Sequence, residues 1–282
     1  MTTQQFDWRF YANFYTDIKA ANINTEDKAL EHYTAHGNTE NRKPYLDVEK
    51  YLKHSDCLGE ILFSSIGNDC FLGINRIFLQ HLVKECKIDT RVKVLEIGCG
   101  IACLSLPIIK HLKLGKYYGI DVDKQCIDWC KRKITPFCDA TFKVLSGDPL
   151  RLPFDDGELD LVYSATLLST IPDRGVNKYL LEINRVLKKG GSFIFTIFMN
   201  HQTNATTALA KNIRTKTRLN KINGLTYLMN GRNERSLVHQ DDYITTCLEK
   251  ANFETKDTIF GNWLDTSNNP IYQDIVTVMK IR

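Results

Sequence analysis

From residue 93 onward, short apolar runs alternate with longer stretches in which apolar residues recur at helical spacing. Lys93 to Ile97, Tyr117 to Ile120, Thr141 to Leu145, Leu159 to Ser164 and Ser192 to Phe198 read as strands. Leu104 to Leu112, Lys124 to Ile134 and Lys178 to Leu187 read as the helices between them. Alternation of this kind predicts a parallel sheet covered by helices on both faces. A helix over Asp241 to Ala251 and two strand-like runs, Glu254 to Phe260 and Ile271 to Lys280, close the chain. An antiparallel pair at one sheet edge fits them, for seven strands in all.

Two regions stand outside this rhythm. Between Phe6 and about Tyr45 the aromatics Phe6, Trp8, Phe10, Tyr11, Phe14 and Tyr15 suit short amphipathic helices, with a start at Thr25 and a stop at Gly37. The wording F-D-W-R-F-Y-A-N-F-Y-T-D-I, then T-E-D-K-A-L-E-H-Y-T-A-H-G and N-R-K-P-Y, resembles a short segment found beside glycosyltransferase domains in giant viruses and some bacteria. Packing alone also accounts for these rings. The other region, 201–240, carries seven Lys and Arg (Lys211, Arg214, Lys216, Arg218, Lys221, Arg232 and Arg235) against the single acid Glu234. An anionic acceptor and a solvated cap explain that charge equally well. The expected organisation is a helical segment over 1–46 and a catalytic domain over 47–282, with a helical cover at 47–87, its core at 91–200 and a cap insertion at 201–240.

Composition narrows the function classes. With 282 residues, 43% hydrophobic and 25% charged, the chain has the balance of an ordinary globular protein. A net charge of +4 is too small to call for nucleic acid or a membrane surface. The nine cysteines show no C-x-x-C pair and no metal-ligand spacing, which predicts reduced thiols and no metal site. Residues Met1 to Arg9 lack a signal pattern, and no apolar run is long enough to span a bilayer, so a cytoplasmic location is expected.

The chemistry concentrates where the strands end. Val94-Leu95-Glu96-Ile97-Gly98-Cys99-Gly100-Ile101-Ala102 is an apolar strand running into a glycine-rich turn and then a helix, so the backbone at Gly98 and Gly100 can approach a ligand closely. A dinucleotide fingerprint would place a third glycine where Cys103 stands. Glu96 would repel a pyrophosphate but suits a cationic amino group. About 20 residues on, Gly119-Ile120-Asp121-Val122-Asp123 ends the second strand with acids: Asp121 is placed to accept from ribose hydroxyls, and Asp123 to cap the next helix. In Ser146-Gly147-Asp148-Pro149-Leu150, Asp148 can accept from an adenine amine while Pro149 and Leu150 pack on the ring. The fourth strand ends at Ser164, beside the same crevice.

In this ordered set the stretch Val94 to Phe198 resembles the class I S-adenosylmethionine (SAM)-dependent methyltransferases, particularly those acting on quinones and small molecules. The resemblance implies a Rossmann-like fold and SAM as cofactor, held by Glu96, Gly98, Cys99 and Gly100 in the turn, Asp121 and Val122 at the ribose, Asp148 and Pro149 at adenine, and Ser164 near the methionine part. Many relatives carry a His where Thr170 stands in Leu167-Leu168-Ser169-Thr170-Ile171-Pro172-Asp173. A base for an acceptor hydroxyl must then come from elsewhere, and His201 and His239 are the candidates, because imidazole titrates near neutral pH. O-methylation of a sugar or glycan is the leading expectation, resting on the first forty residues. Methylation of a small metabolite, quinone or lipid, and SAM binding without turnover, are the alternatives. Nucleic-acid and membrane partners are not expected, and the oligomeric state is left open.

Overall fold

A computed structural model of the chain describes residues 6, 8, 11–12, 15–42, 78, 80–82, 91–102, 104–105, 108–109, 112, 115–146, 151–200, 218–222, 225–229, 235–261, 263 and 273–282. Most of the helix expected over 47–87 and part of that over 104–112 lie outside these residues.

Two short helices, α1 (Thr16–Ala20) and α2 (Glu26–His32), form in the aromatic leader, and a π-helical turn, Tyr33–Gly37, extends α2. The Thr25 hydroxyl caps α2 by accepting from Lys28 N at 3.5 Å, as its sequence position implies. The aromatics pack on one another: Tyr11, Ile18, Ala29 and Tyr33 form a buried cluster flanked by Phe6, Trp8, Tyr15 and Ile23. Arg42 closes the segment with a two-pronged bond to Asp17 at 2.7 and 3.0 Å.

The main sheet is built from β1 (Lys93–Ile97), β2 (Lys116–Asp121), β3 (Ala140–Val144), β4 (Leu159–Ser164), β5 (Leu187–Ile197), β10 (Phe253–Ile259) and β11 (Asp274–Lys280). Its order is β10-β11-β5-β4-β1-β2-β3: the first five strands of the chain run parallel, and β11 inserts antiparallel between β5 and β10. Chain order reverses at β1, so the crevice at the carboxyl ends of β1, β2 and β4 lies at the switch point where such sheets bind ligands. This is the expected seven-stranded, mostly parallel α/β fold with an antiparallel closing hairpin.

Both faces are apolar and each has its own cover. Leu95, Ile97, Phe193, Phe195, Val276 and Val278 pack against α4 (Asp173–Val186) and α5 (Asp241–Lys250). The alternate residues Val94, Tyr117, Leu161, Tyr163 and Ile194 pack against α3 (Lys124–Lys133), whose Trp129 is wholly buried. Helix α4 starts five residues before the sequence pattern indicated, immediately after Pro172, which is pre-set for a helix start.

A second sheet was not anticipated. Strands β6 (Met199–Asn200), β7 (Arg218–Ile222), β8 (Leu225–Met229) and β9 (Arg235–Gln240) pair in the order β6-β9-β8-β7. The described part of the basic insertion is therefore an antiparallel meander that joins the domain where β5 ends. Asp274, 1% exposed, fixes that junction by accepting from Met199 N (3.0 Å), Gly261 N (2.8 Å) and Trp263 Nε1 (3.0 Å).

Candidate active site

The turn after β1 is shaped by two glycines in the left-handed region, Gly98 (φ 79°) and Gly100 (φ 51°), followed by Ala102 at φ 59°. Only glycine adopts such angles without strain, and a Cβ on Gly100 would meet nothing within 4 Å, so the turn looks onto open space. The turn is tied to β2: Gly98 N and Cys99 N both donate to Ile120 O, at 2.8 and 3.1 Å. Asp121 extends the tie, its Oδ2 accepting from Gly100 N at 2.7 Å and its Oδ1 from Asp123 N at 2.9 Å. Asp123 caps α3 through Gln125 N (2.7 Å) and Cys126 N (3.3 Å), the capping role its sequence position implies. Val122, between them, is 73% exposed beside the crevice, whereas Cys99 is buried.

Glu96 sits deeper than a surface carboxylate. It is 2% exposed and points into the α3-side core, where its Oε2 accepts from Tyr117 Oη (2.6 Å), Tyr163 Oη (2.7 Å) and Ser105 Oγ. The register explains the convergence: Glu96 pairs with Tyr163 on β4 and with Gly119 on β2, two residues beyond Tyr117. Burial pushes the carboxyl up to about 7, against the pull of the three hydroxyls. Sequence reasoning found Glu96 but not these partners, because the three residues that contact it come from separate elements.

At the end of β4, Ser164 is wholly buried and its Oγ has no hydrogen-bond partner among the described residues, an orphaned group of the kind a bound ligand satisfies. The methyltransferase-domain family model matches residues 94–191, which run from β1 into β5. Residues 94–191 are a methyltransferase domain, on a sheet with Rossmann-like strand order. Demethylmenaquinone methyltransferase from Staphylococcus saprophyticus is 29% identical over 121 residues, 43% of this chain and 50% of that protein. Its counterpart from Staphylococcus haemolyticus is 28% identical over 43% of this chain. The chain thus spans about half the length of the curated relatives it matches. Among solved structures, a Pyrococcus horikoshii protein aligns with TM-score 0.57 at 19% identity, covering 77% of this chain and 93% of that one. An S-adenosylmethionine-dependent methyltransferase from Clostridium acetobutylicum aligns with TM-score 0.57 at 13% identity, covering 80% and 100%.

SAM is the cofactor of this domain class, and the residues present fit it: an open glycine turn, a carboxylate at the β2 end and a buried hydroxyl at the β4 end, unpartnered among the described residues, all lie at the carboxyl edge of the sheet. Among the described residues no group of His, Cys, Asp and Glu is arranged to hold a metal. No described helix is long and apolar enough to cross a membrane.

The segment after β4 is held by residues from three other places in the chain. Thr166, at φ 62°, donates its N–H to Thr196 Oγ1 of β5 (2.7 Å), which donates to Gln273 Oε1 (2.6 Å), and Gln273 Nε2 donates to Ser169 Oγ (3.1 Å). From β9, His239 reaches Leu168 O with Nε2 (2.8 Å) and Asp173 Oδ1 with Nδ1 (2.6 Å). Its side chain is fully buried and both ring nitrogens are engaged, so in this arrangement His239 bridges the insertion to the domain and offers no nitrogen to an acceptor. Thr170 donates to Leu167 O at 2.7 Å. Asp148, Pro149 and His201 lie outside the described residues.

Proposed function

We propose that the chain transfers the methyl group of SAM to an oxygen of a small-molecule or glycan acceptor, with a sugar hydroxyl as the leading substrate class. The observation that carries the transferase reading is the gathering of Asp121, the Gly98–Gly100 turn and Ser164 at the carboxyl edge of the sheet, beside the switch point of its strand order. Bound there, SAM supplies an electrophilic methyl on a sulfonium. In the transfer the acceptor oxygen bonds to that carbon, the carbon–sulfur bond breaks, and the hydroxyl proton passes to a base. The chain's residues bind and orient: Asp121 accepts from the ribose hydroxyls, Glu96 faces the amino end, and Asp148 takes the adenine amine. His201 is the candidate base, since it follows the end of β6 by one residue in the sequence and imidazole titrates near neutral pH.

The sugar reading is supported by the leader's resemblance to segments beside glycosyltransferases. The second reading, a quinone or related small metabolite, is favoured by the demethylmenaquinone methyltransferases among the relatives. Incubation of the full chain with tritiated-methyl SAM and parallel panels of sugars, glycans, demethylmenaquinone and small phenols tests both. Label in the carbohydrate panel is expected; label only in quinones or phenols removes the sugar reading. SAM binding without transfer to any acceptor points to a binding module.

A further inference from the structure

Three hydroxyls from three different elements meet on one buried carboxylate oxygen, and the cofactor reading alone does not require them. Tyr117 on β2, Tyr163 on β4 and Ser105 after the glycine turn all donate to Glu96 Oε2, and Tyr117 Oη also lies 2.7 Å from Ser105 Oγ. Purely apolar residues would pack this face of the sheet as well, at no cost in buried polarity. Instead the network holds one rotamer of Glu96 and, among the described residues, gathers every donor on Oε2. Oε1 is left for something else.

We propose that Ser105, Tyr117 and Tyr163 are positioning residues for the cofactor: their hydroxyls hold Glu96 as an ionised acceptor whose Oε1 takes the α-ammonium of SAM, directly or through water. The inference rests on the SAM-binding reading of the crevice. Its consequence is that cofactor capture depends on the protonation of Glu96, because a neutral carboxyl forfeits the charge-assisted bond to an ammonium. Asp121 on β2 adds a negative charge that opposes its ionisation, and the Cys99 thiol in the turn is itself pushed up by burial and so stays neutral, with Cys126 and Cys130 of α3 beside it. Withdrawing a hydroxyl donor must raise the Glu96 value further, since all three act to lower it.

The test compares two ligands by calorimetry between pH 5.5 and 8. S-adenosylhomocysteine carries the ammonium, whereas 5′-methylthioadenosine has the same nucleoside and thioether without the amino-acid part. In the parent chain, S-adenosylhomocysteine affinity should fall on acidification through about 7, by up to about tenfold per pH unit, while methylthioadenosine affinity stays flat. Tyr163→Phe and Tyr117→Phe should move that midpoint to higher pH and weaken S-adenosylhomocysteine about three- to tenfold at pH 7, with methylthioadenosine within about twofold. Ser105→Ala, the smallest change, should do the same to a lesser degree should either Tyr variant fail to fold. Equal weakening of both ligands, or an unmoved profile, overturns the positioning role and leaves SAM binding intact. A parent chain that binds neither ligand overturns the functional reading together with the inference.

Discussion

Replacing His239 with Ala separates a bridging role from a catalytic one. The imidazole is fully buried and bonds Leu168 O at 2.8 Å and Asp173 Oδ1 at 2.6 Å. Truncation strands the Leu168 carbonyl without its partner and empties the space of a ring, each at a cost of about 1–3 kcal/mol. The Asp173 contact adds less, because that carboxylate is 42% exposed and screened by solvent. A total loss of about 2–4 kcal/mol is expected, and His239→Gln, which keeps a donor, should lose about half as much. Urea unfolding of the two variants, with Asp173→Ala and the double variant completing a cycle, measures both the total and the coupling, expected at about 0.5–1.5 kcal/mol. Amide exchange at 166–170 and 235–240 should accelerate together, because the ring is the link between them. A loss below about 0.5 kcal/mol, or acceleration in only one of the two segments, refutes the bridge and returns His239 to the list of candidate bases.

Three further outcomes follow from the site. Glu96 has a folded-state value raised to about 7 from an ordinary 4.5, so the folded chain holds the extra proton between those limits and stability must decline as pH rises through that window. Glu96→Gln should abolish this decline, up to about 2–3 kcal/mol, in urea midpoints taken from pH 4.5 to 7.5; a slope unchanged in the variant contradicts the assignment. Asp121→Ala removes the acceptor for Gly100 N together with the proposed ribose contact and should weaken S-adenosylhomocysteine about 10- to 100-fold in equilibrium dialysis, unaltered affinity being the refuting result. Arg185→Ala deletes bonds to Leu152 O (3.1 Å) and Phe154 O (2.9 Å) and leaves Glu182 without its guanidinium, so a loss of about 2–4 kcal/mol and faster exchange over 151–157 are expected, with thermal unfolding as the check.

The sheet was legible because each strand is an apolar run bounded by turn chemistry, and parallel strands with both faces covered leave little ambiguity about what is buried. Asp121 and Asp123 were separable for a similar reason: one ends a strand in the crevice, and the other stands where a helix needs a cap. The β7–β9 meander was not legible. Basic and polar residues dominate 201–240, its apolar positions are sparse, and what fixes β9 to the domain is His239 acting across more than sixty residues on Asp173 and Leu168. The cage around Glu96 failed to show for the same reason, since Tyr117 and Tyr163 read as ordinary strand aromatics until the register sets them beside a carboxylate. Local patterns carry secondary structure, whereas polar networks depend on tertiary neighbours.

The same division bears on what can be inherited from relatives. The family match ends at residue 191, so it spans the strands that build the cofactor crevice and stops before β6 to β9, the part of the fold that meets the segment after β4. Thr166, Leu168 and Ser169 are bonded to Thr196, His239 and Gln273, all three beyond the matched stretch. The segment that follows β4 is therefore shaped by residues for which the match offers no precedent, and likeness over the matched stretch speaks to the cofactor-binding fold more strongly than to acceptor choice. Exchange of the insertion, rather than point changes in the crevice, is the perturbation that should alter which acceptor is methylated while leaving S-adenosylhomocysteine affinity within a few fold. Loss of cofactor affinity on such an exchange, with the domain still folded, would show that the two halves of the site are not separable.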